Sequence, residues 1–212
     1  MPNQTLQKFN LERGGIGEYH VNNTLNRLLG AVRFRNNDQD TSNYYLFDNI
    51  LIPVKDWAIN HTQDFTEIDH ILCCKKGIFS IETKSLSGKV FGEKKSQNWY
   101  SALAQSDAKQ GIYDRIFRNP FKQNSFHVKA ISEFLKSHGI HVQIENLVVL
   151  VDADKTGWEP GHWEGEPINE LFLDAEELTK YISTQPNKIS GTKIKEISEK
   201  LFMLYQQKER CR

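Results

Sequence analysis

The chain is poor in the features that mark secreted, membrane-spanning or zinc-dependent proteins. Three cysteines stand among 212 residues. Two are adjacent, Cys73 and Cys74, and the third is Cys211 near the end, so no disulfide framework is expected. There is no CxxC, and the best-spaced histidines, His138 and His141, flank a glycine in what reads as a surface turn, which argues against zinc. No apolar run approaches the roughly 20 residues of a membrane span. The opening "MPNQTLQKFNLERGG" also lacks the apolar stretch of a secretory signal. The expectation is a cytoplasmic protein with no membrane association. Repeats and low-complexity tracts are missing, and no Gly-rich loop of the ATP-binding kind occurs, so no motor is expected.

Net charge is lacking too, at formally zero, which argues against coating nucleic acid through bulk electrostatics. The charges are nevertheless segregated. Between Lys75 and Lys136 there are twelve Lys and Arg against five Asp and Glu, whereas between Glu145 and Glu177 ten acids face one lysine, Lys155. The basic half suits phosphates, and the acidic stretch repels them.

What is present is a soluble globular composition, 38% hydrophobic and 25% charged, long enough for one sizeable domain with an extension. Residues 1–15 are polar, end in Gly14 and Gly15, and read as a flexible arm. A helix is expected over Ile16–Leu29, with Val21, Leu25 and Leu28 on one stripe and Gly30 as its stop. Glu18 falls on that stripe. A carboxylate there is paired, bound to metal, or facing the positive end of the helix dipole. "RFRNNDQDTSN" is a loop by composition, and "YYLFDNILIP" a strand ended by Pro53. "ENLVVLVDAD" reads as a further buried strand whose exit acids, Asp152 and Asp154, cap a loop. Trp158 and Trp163 sit in a Gly- and Pro-rich loop and are expected to anchor it to the core, with base stacking as the alternative. Helices are expected over Asp174–Gln185 and Ile194–Gln207, the last with Leu201, Leu204 and Tyr205 facing the domain or a second copy.

The informative stretch is "IDHILCCKKGIFSIETKS". Two strands separated by two residues form a hairpin. With Lys75 and Lys76 as the loop, Asp69 lies across from Glu82. With Lys76 and Gly77 as the loop, Asp69 faces Lys84 and Glu82 is its diagonal neighbour. Either register puts Asp69, Glu82 and Lys84 on one face, apart from the apolar side of Phe79 and Ile81. Two carboxylates about 5 Å apart across a strand pair repel each other and gain stability only around a cation. Hard oxygens without thiolate or imidazole suit Mg²⁺ or Mn²⁺. Lys84 is placed to orient or deprotonate a water, or to neutralise an oxyanion. Such a site would hydrolyse a phosphodiester.

Four elements together resemble the nuclease-related domain (NERD) family of the PD-(D/E)xK nuclease superfamily. They are "GE" at Gly17 and Glu18, "EIDH" around Asp69, "IETK" at Glu82 and Lys84, and "NPFKQ" from Asn119 to Gln123. They span residues 14 to 135, and Gly88 and Trp99 look like the family's hairpin beyond the motif. The resemblance implies an α/β, restriction-endonuclease-like three-layer fold. A central mixed β-sheet would be flanked by helices, with a C-terminal α-helical extension. The nuclease-like domain would cover residues 16–152, with residues 153–212 an acidic loop and helices packing on it. Asp69, Glu82 and the Thr83 carbonyl would hold the metal, Lys84 would be the catalytic lysine, and Glu18 an additional acid from the first helix. Gln123 matches the family's polar residue near the site, at the start of a helix that Asn119 can cap and Pro120 can open. Ile68 stands where the superfamily's name has proline, a loosely held position.

The leading expectation is a nuclease dependent on Mg²⁺ or Mn²⁺. DNA would lie along Lys89, Lys94, Lys95, Arg115, Arg118 and Lys122, with RNA left open, and a homodimer would be the simplest way to cut both strands. One alternative is a non-catalytic nucleic-acid or protein binding module that keeps the fold, with the acidic segment as a partner surface or a cover over the basic groove. Another is a structural ion pair between the acids and Lys84.

Overall fold

Apolar runs between Tyr44 and Val151 assemble into one mixed sheet. The computed structural model describes residues 4–30, 44–55, 57–58, 64–102, 115–153 and 170–210. Among these, the chain runs α1 (Gln4–Leu29), β1 (Tyr44–Pro53), β2 (Phe65–Cys74), β3 (Gly77–Phe91), β4 (Asn98–Ala102), β5 (Arg115–Arg118), α2 (Pro120–Ser137), β6 (Ile144–Ala153), β7 (Leu171–Phe172), α3 (Ala175–Thr184) and α4 (Gly191–Arg210). The long strand β3 is the hub. It pairs antiparallel with β2 near its start, parallel with β6 along most of its length, and antiparallel with β4 at its far end. β1 closes one margin beside β2, β5 follows β4, and β7 extends β6 in parallel. Helices α2 and α4 pack on one face of this sheet and α1 and α3 on the other, the restriction-endonuclease-like architecture that the motifs imply. Among the described residues no helix is long and apolar enough to cross a membrane.

The β2–β3 turn takes the first of the two registers. Cys74 pairs with Gly77 and His70 with Ile81, so Lys75 and Lys76 form the loop. Past the His70–Ile81 pair the two strands part, and the parting creates the site. β3 meanwhile continues to Phe91, farther than "GIFSIETK" suggests, and its pairing with β6 shifts between Ser85 and Gly88. Gly88 has φ +85°, a backbone that glycine adopts without penalty at such an irregularity.

A second irregularity explains how the site's aspartate is aimed. On β1, Tyr45 and Phe47 face the α2/α4 layer, and so do Ile50 and Ile52. On β2, Ile71 and Cys73 face that layer, and so does Ile68. Alternation therefore slips by one residue on both strands, at Asn49 and next to Asp69. Asn49 has φ +51°, a left-handed backbone that asparagine tolerates better than most residues. That conformation costs about 1–2 kcal/mol at an ordinary residue. Turning Ile50, Ile52 or Ile68 out of the core would forfeit roughly 1.5–3 kcal/mol each, so the slip is the cheaper solution.

Three expectations are corrected. Residues 4–15, read as an arm, are the first turns of α1, which runs unbroken through Gly14 and Gly15. On that helix Val21 and Leu25 are fully buried, but Leu28 is 48% exposed, and Leu29 packs against the core instead. Face-sharing by Asp69 and Glu82 through simple alternation fails because of the slip. The "RFRNNDQDTSN" segment, Asp154, Lys155, Trp158, Trp163 and Cys211 lie outside the described residues.

The C-terminal helices belong to the same body. α3 adds Ala175, Leu178 and Ile182 to the core on the α1 side. α4 adds Ile194, Ile197, Leu201 and Leu204 to the opposite core, at the three- and four-residue spacing of one helical stripe. Tyr205 is only half-buried.

Candidate active site

Each element at the parting of β2 and β3 contributes one group. Asp69, the first residue beyond the paired ladder, turns its carboxylate toward β3, where Oδ2 accepts the Thr83 backbone N–H at 2.8 Å. The side chain thus takes the place of the missing strand carbonyl. In an extended strand a residue's N–H and C=O lie on the same side, so the Thr83 carbonyl is directed to this same gap.

Glu82, on the α2 side of β3, is fully buried. Its Oε1 pairs with Lys84 Nζ. Its Oε2 is approached by His127 Nδ1 at 3.3 Å, a close polar contact rather than a well-aligned hydrogen bond. His127 comes from α2, whose start is built as the residues suggest: Asn119 is the N-cap, accepts the Phe121 N–H at 2.9 Å, and is followed by Pro120. The Asn119 amide also donates to the carbonyls of Glu93, Lys94 and Ser96, tying the helix start to the loop between β3 and β4. Gln123 is half-buried one turn before His127.

On the opposite face, α1 comes close because Gly17 has no side chain. A Cβ there would lie 3.2 Å from Ser85 Cβ and 3.5 Å from Thr83 Cγ2. This approach accounts for the "GE" pair: Gly17 lets the helix touch the sheet, and Glu18 then lies within electrostatic reach of His70, Glu67 and Glu82, hydrogen-bonded to Asn49. His70 is buried, and its Nδ1 is 2.8 Å from Asp48 Oδ1. Asn22 of α1 donates to the other Asp48 oxygen. Neither His127 nor the Asp48–His70 pair was anticipated from the residues. His127 carried a usable signal, a polar residue on the apolar stripe with Ala130 and Ile131, the argument already applied to Glu18.

Proton affinities diverge across the site. Burial, and then the Glu82 charge, push Asp69 up to about 7. Burial also raises Glu82, but the His127 contact and the Lys84 charge outweigh it, and the net shift is downward. Glu18 is raised, chiefly by burial. Among the described residues, five buried side-chain polar atoms lack a hydrogen-bond partner. Four of them, His70 Nε2, Glu82 Oε2, Thr83 Oγ1 and His127 Nδ1, surround this parting, whereas Ser198 Oγ lies elsewhere. No three His, Cys, Asp or Glu side chains among the described residues converge as a metal-binding group.

The basic residues are more dispersed than a single groove requires. β3 carries Lys89 onward from Lys84, and Lys95 is exposed in the following turn. Lys94 is paired with Glu170 of the acidic stretch at 2.9 Å and sits over the Phe121 ring. Lys122 donates to Gln97 at 3.0 Å. Arg115 and Arg118 are both exposed on β5. Three residues apart on a strand, they point to opposite faces.

Comparison with known proteins identifies a family. The profile of the nuclease-related domain (NERD) family matches residues 13–151, which include all five polar positions of the site, Glu18, Asp69, Glu82, Lys84 and Gln123. An uncharacterized protein of Bacillus anthracis is 31% identical over 121 residues, covering 56% of this chain and 45% of that protein's length. The chain thus matches less than half of that relative. No solved structure matches the chain significantly. With most of its length inside the family profile, the chain belongs to the nuclease-related domain family.

Proposed function

We propose that this protein is a nuclease that hydrolyses phosphodiester bonds in DNA with Mg²⁺ or Mn²⁺. The observation that carries the reading is the meeting of Asp69, Glu82 and Lys84 where β2 leaves β3. The donor set fits a hard divalent cation: two carboxylates and the Thr83 carbonyl, all oxygen. The raised Asp69 supports the fit, since a carboxylate pushed up by burial and a neighbouring charge is relieved by a positive ion. Such an ion supplies charge stabilisation at the phosphate and a more acidic water.

The remaining roles fall to the chain's own groups. Lys84, with a quarter of its side chain exposed, offers an ammonium to a phosphate oxygen or to the attacking water. Glu18 lies within electrostatic reach of Glu82 from α1, and Gln123 sits one turn before His127 on α2. Lys89, Lys95, Arg118 and Lys122 would hold the backbone on either side, while Lys94 must first leave Glu170.

One observation favours a second reading. Both Glu82 oxygens are already engaged, by Lys84 and His127, as in a structural ion-pair network within a non-catalytic binding module. Purified protein and Glu82→Gln incubated with labelled supercoiled, linear and single-stranded DNA, and with RNA, in Mg²⁺, Mn²⁺ or EDTA, separate the two. Metal-dependent cutting of DNA that disappears in the variant is expected. Absence of cutting, together with no calorimetric response to either metal, would establish the binding module, and cutting of RNA alone would change the substrate class.

A further inference from the structure

The two partners of Glu82 differ in how firmly they are held. Lys84 reaches Oε1 from two residues along the same strand, at the end of a four-carbon side chain that is 25% exposed. His127 approaches Oε2 with only 6% of its side chain exposed. Three residues before it, Asn124 fastens α2 to the sheet. Its amide donates to the Ser80 carbonyl at 2.8 Å, to Asn146 Oδ1 at 2.8 Å and to the Leu147 carbonyl at 3.0 Å, and its oxygen accepts from Ser80 Oγ at 2.6 Å. Phe121, Ala130, Ile131 and Leu135 bury the rest of that stripe. The imidazole turns on two bonds inside a packed layer, whereas the ammonium sits at the end of four and reaches solvent.

The costs of separation differ accordingly. An ammonium that is one-quarter exposed regains part of its hydration when it leaves the carboxylate. An imidazole and a carboxylate oxygen left buried without partners lose far more. A divalent ion also attracts a carboxylate oxygen about twice as strongly as a monovalent ammonium at equal distance.

Building on the metal-dependent reading above, we propose that His127 is the permanent partner of Glu82 and Lys84 the displaceable one. Oε1 is then the oxygen offered to the cation, and His127 acts as a positioning residue through Oε2. Lys84 is released from Glu82 as the cation enters, so its ammonium becomes available to the phosphate only in the loaded site. The lysine is thereby both the counter-ion of the empty site and the reagent of the filled one.

Mn²⁺ binding without nucleic acid, followed by calorimetry, tests the assignment on wild type, Asp69→Asn, His127→Ala, His127→Gln and Lys84→Met. His127→Ala is expected to weaken Mn²⁺ about 10–100-fold, as loss of a ligand's supporting partner commonly does, and His127→Gln to restore most of that. Lys84→Met is expected to bind Mn²⁺ as tightly as wild type or more tightly. Equal affinity in His127→Ala and wild type, or weakening by Lys84→Met as large as that by His127→Ala, overturns the proposal. Wild type itself supplies a test that no variant's misfolding can spoil. On Mg²⁺ addition the Lys84 side-chain NMR signals should move while the His127 ring-nitrogen signals hold, and the reverse pattern overturns it. If wild type binds neither metal, the metal-dependent reading falls and this proposal with it. If wild type binds through Asp69 and His127→Ala matches it, only this proposal falls.

Discussion

The two faces of the sheet treat the acids at the parting in opposite ways. On the α2 face Glu82 is buried between an ammonium and an imidazole and is held ionised. On the α1 face Glu18 has the amide of Asn49 and lies near a histidine already committed to Asp48, and its pKa rises. Asp69, between them, also rises, to about 7. Burial alone predicts the same upward shift for all three; the difference comes from where the cations are. One acid is thus held ionised, and the proton affinity of the other two is raised.

The sharpest way to break this contrast is to remove each acid in turn. Glu82→Gln should abolish metal-dependent cleavage, while Glu18→Gln should leave a measurable fraction in the same assay; equal losses would mean that the two faces are not specialised. Next in size is the pH response of the metal-free protein. Because Asp69 has a folded-state pKa above its unfolded value, its contribution to stability is present below about pH 4 and is lost as pH rises through about 7. The Glu82 contribution has the opposite sign, present above its unfolded value near 4.5 and lost as pH falls through its lower folded value. The thermal midpoint without metal should therefore decline between pH 5 and 7.5, at roughly 2–4 °C per kcal/mol for a chain of this size. Saturating Mg²⁺ should reverse the decline and Asp69→Asn should flatten it. A midpoint that climbs over this range in wild type and not in Asp69→Asn would contradict the assignment.

Smaller effects test the scaffold behind the contrast. Asn49→Val should cost about 1–3 kcal/mol in denaturant unfolding because a branched residue resists φ +51°, whereas Asn49→Gly should cost little stability. Equal losses in the two would show that the side chain, not the backbone, matters there. Least of all, Lys94→Ala removes an exposed pair with Glu170 and should change stability by about 0–1 kcal/mol. A larger loss would point to the packing of its stem on Phe121.

Much of this frame is legible in local residues. The Lys75–Lys76 turn, the β1 strand from Tyr44 to Pro53, and the Asn119–Pro120 helix start follow from turn chemistry, apolar runs and capping, each a matter of a few neighbouring residues. What escapes is set by partners distant in sequence. The slip at Asp69 depends on a left-handed Asn49 on the adjoining strand, and no alternation rule applied to β2 alone reveals it. The role of His127 depends on α2 lying across Ser80 and Asn146; its place on an apolar stripe marks the residue without naming its partner. The first turns of α1 escape because polar residues and a glycine pair give no periodic signal.

Strand β3 carries both Glu82 with Lys84 and the start of the basic hairpin, without a loop between them. From Lys84 to Lys89 is five residues, but between Ser85 and Gly88 three steps of β3 span only two of β6, so the advance is about four extended steps, roughly 13 Å. A duplex advances a similar distance in about four base pairs at 3.4 Å each. Under the proposed function the strand is a measuring rod: it fixes how far from the cut the nucleic acid is gripped, and it fixes a direction. A protected footprint should accordingly extend farther to one side of the scissile bond than to the other.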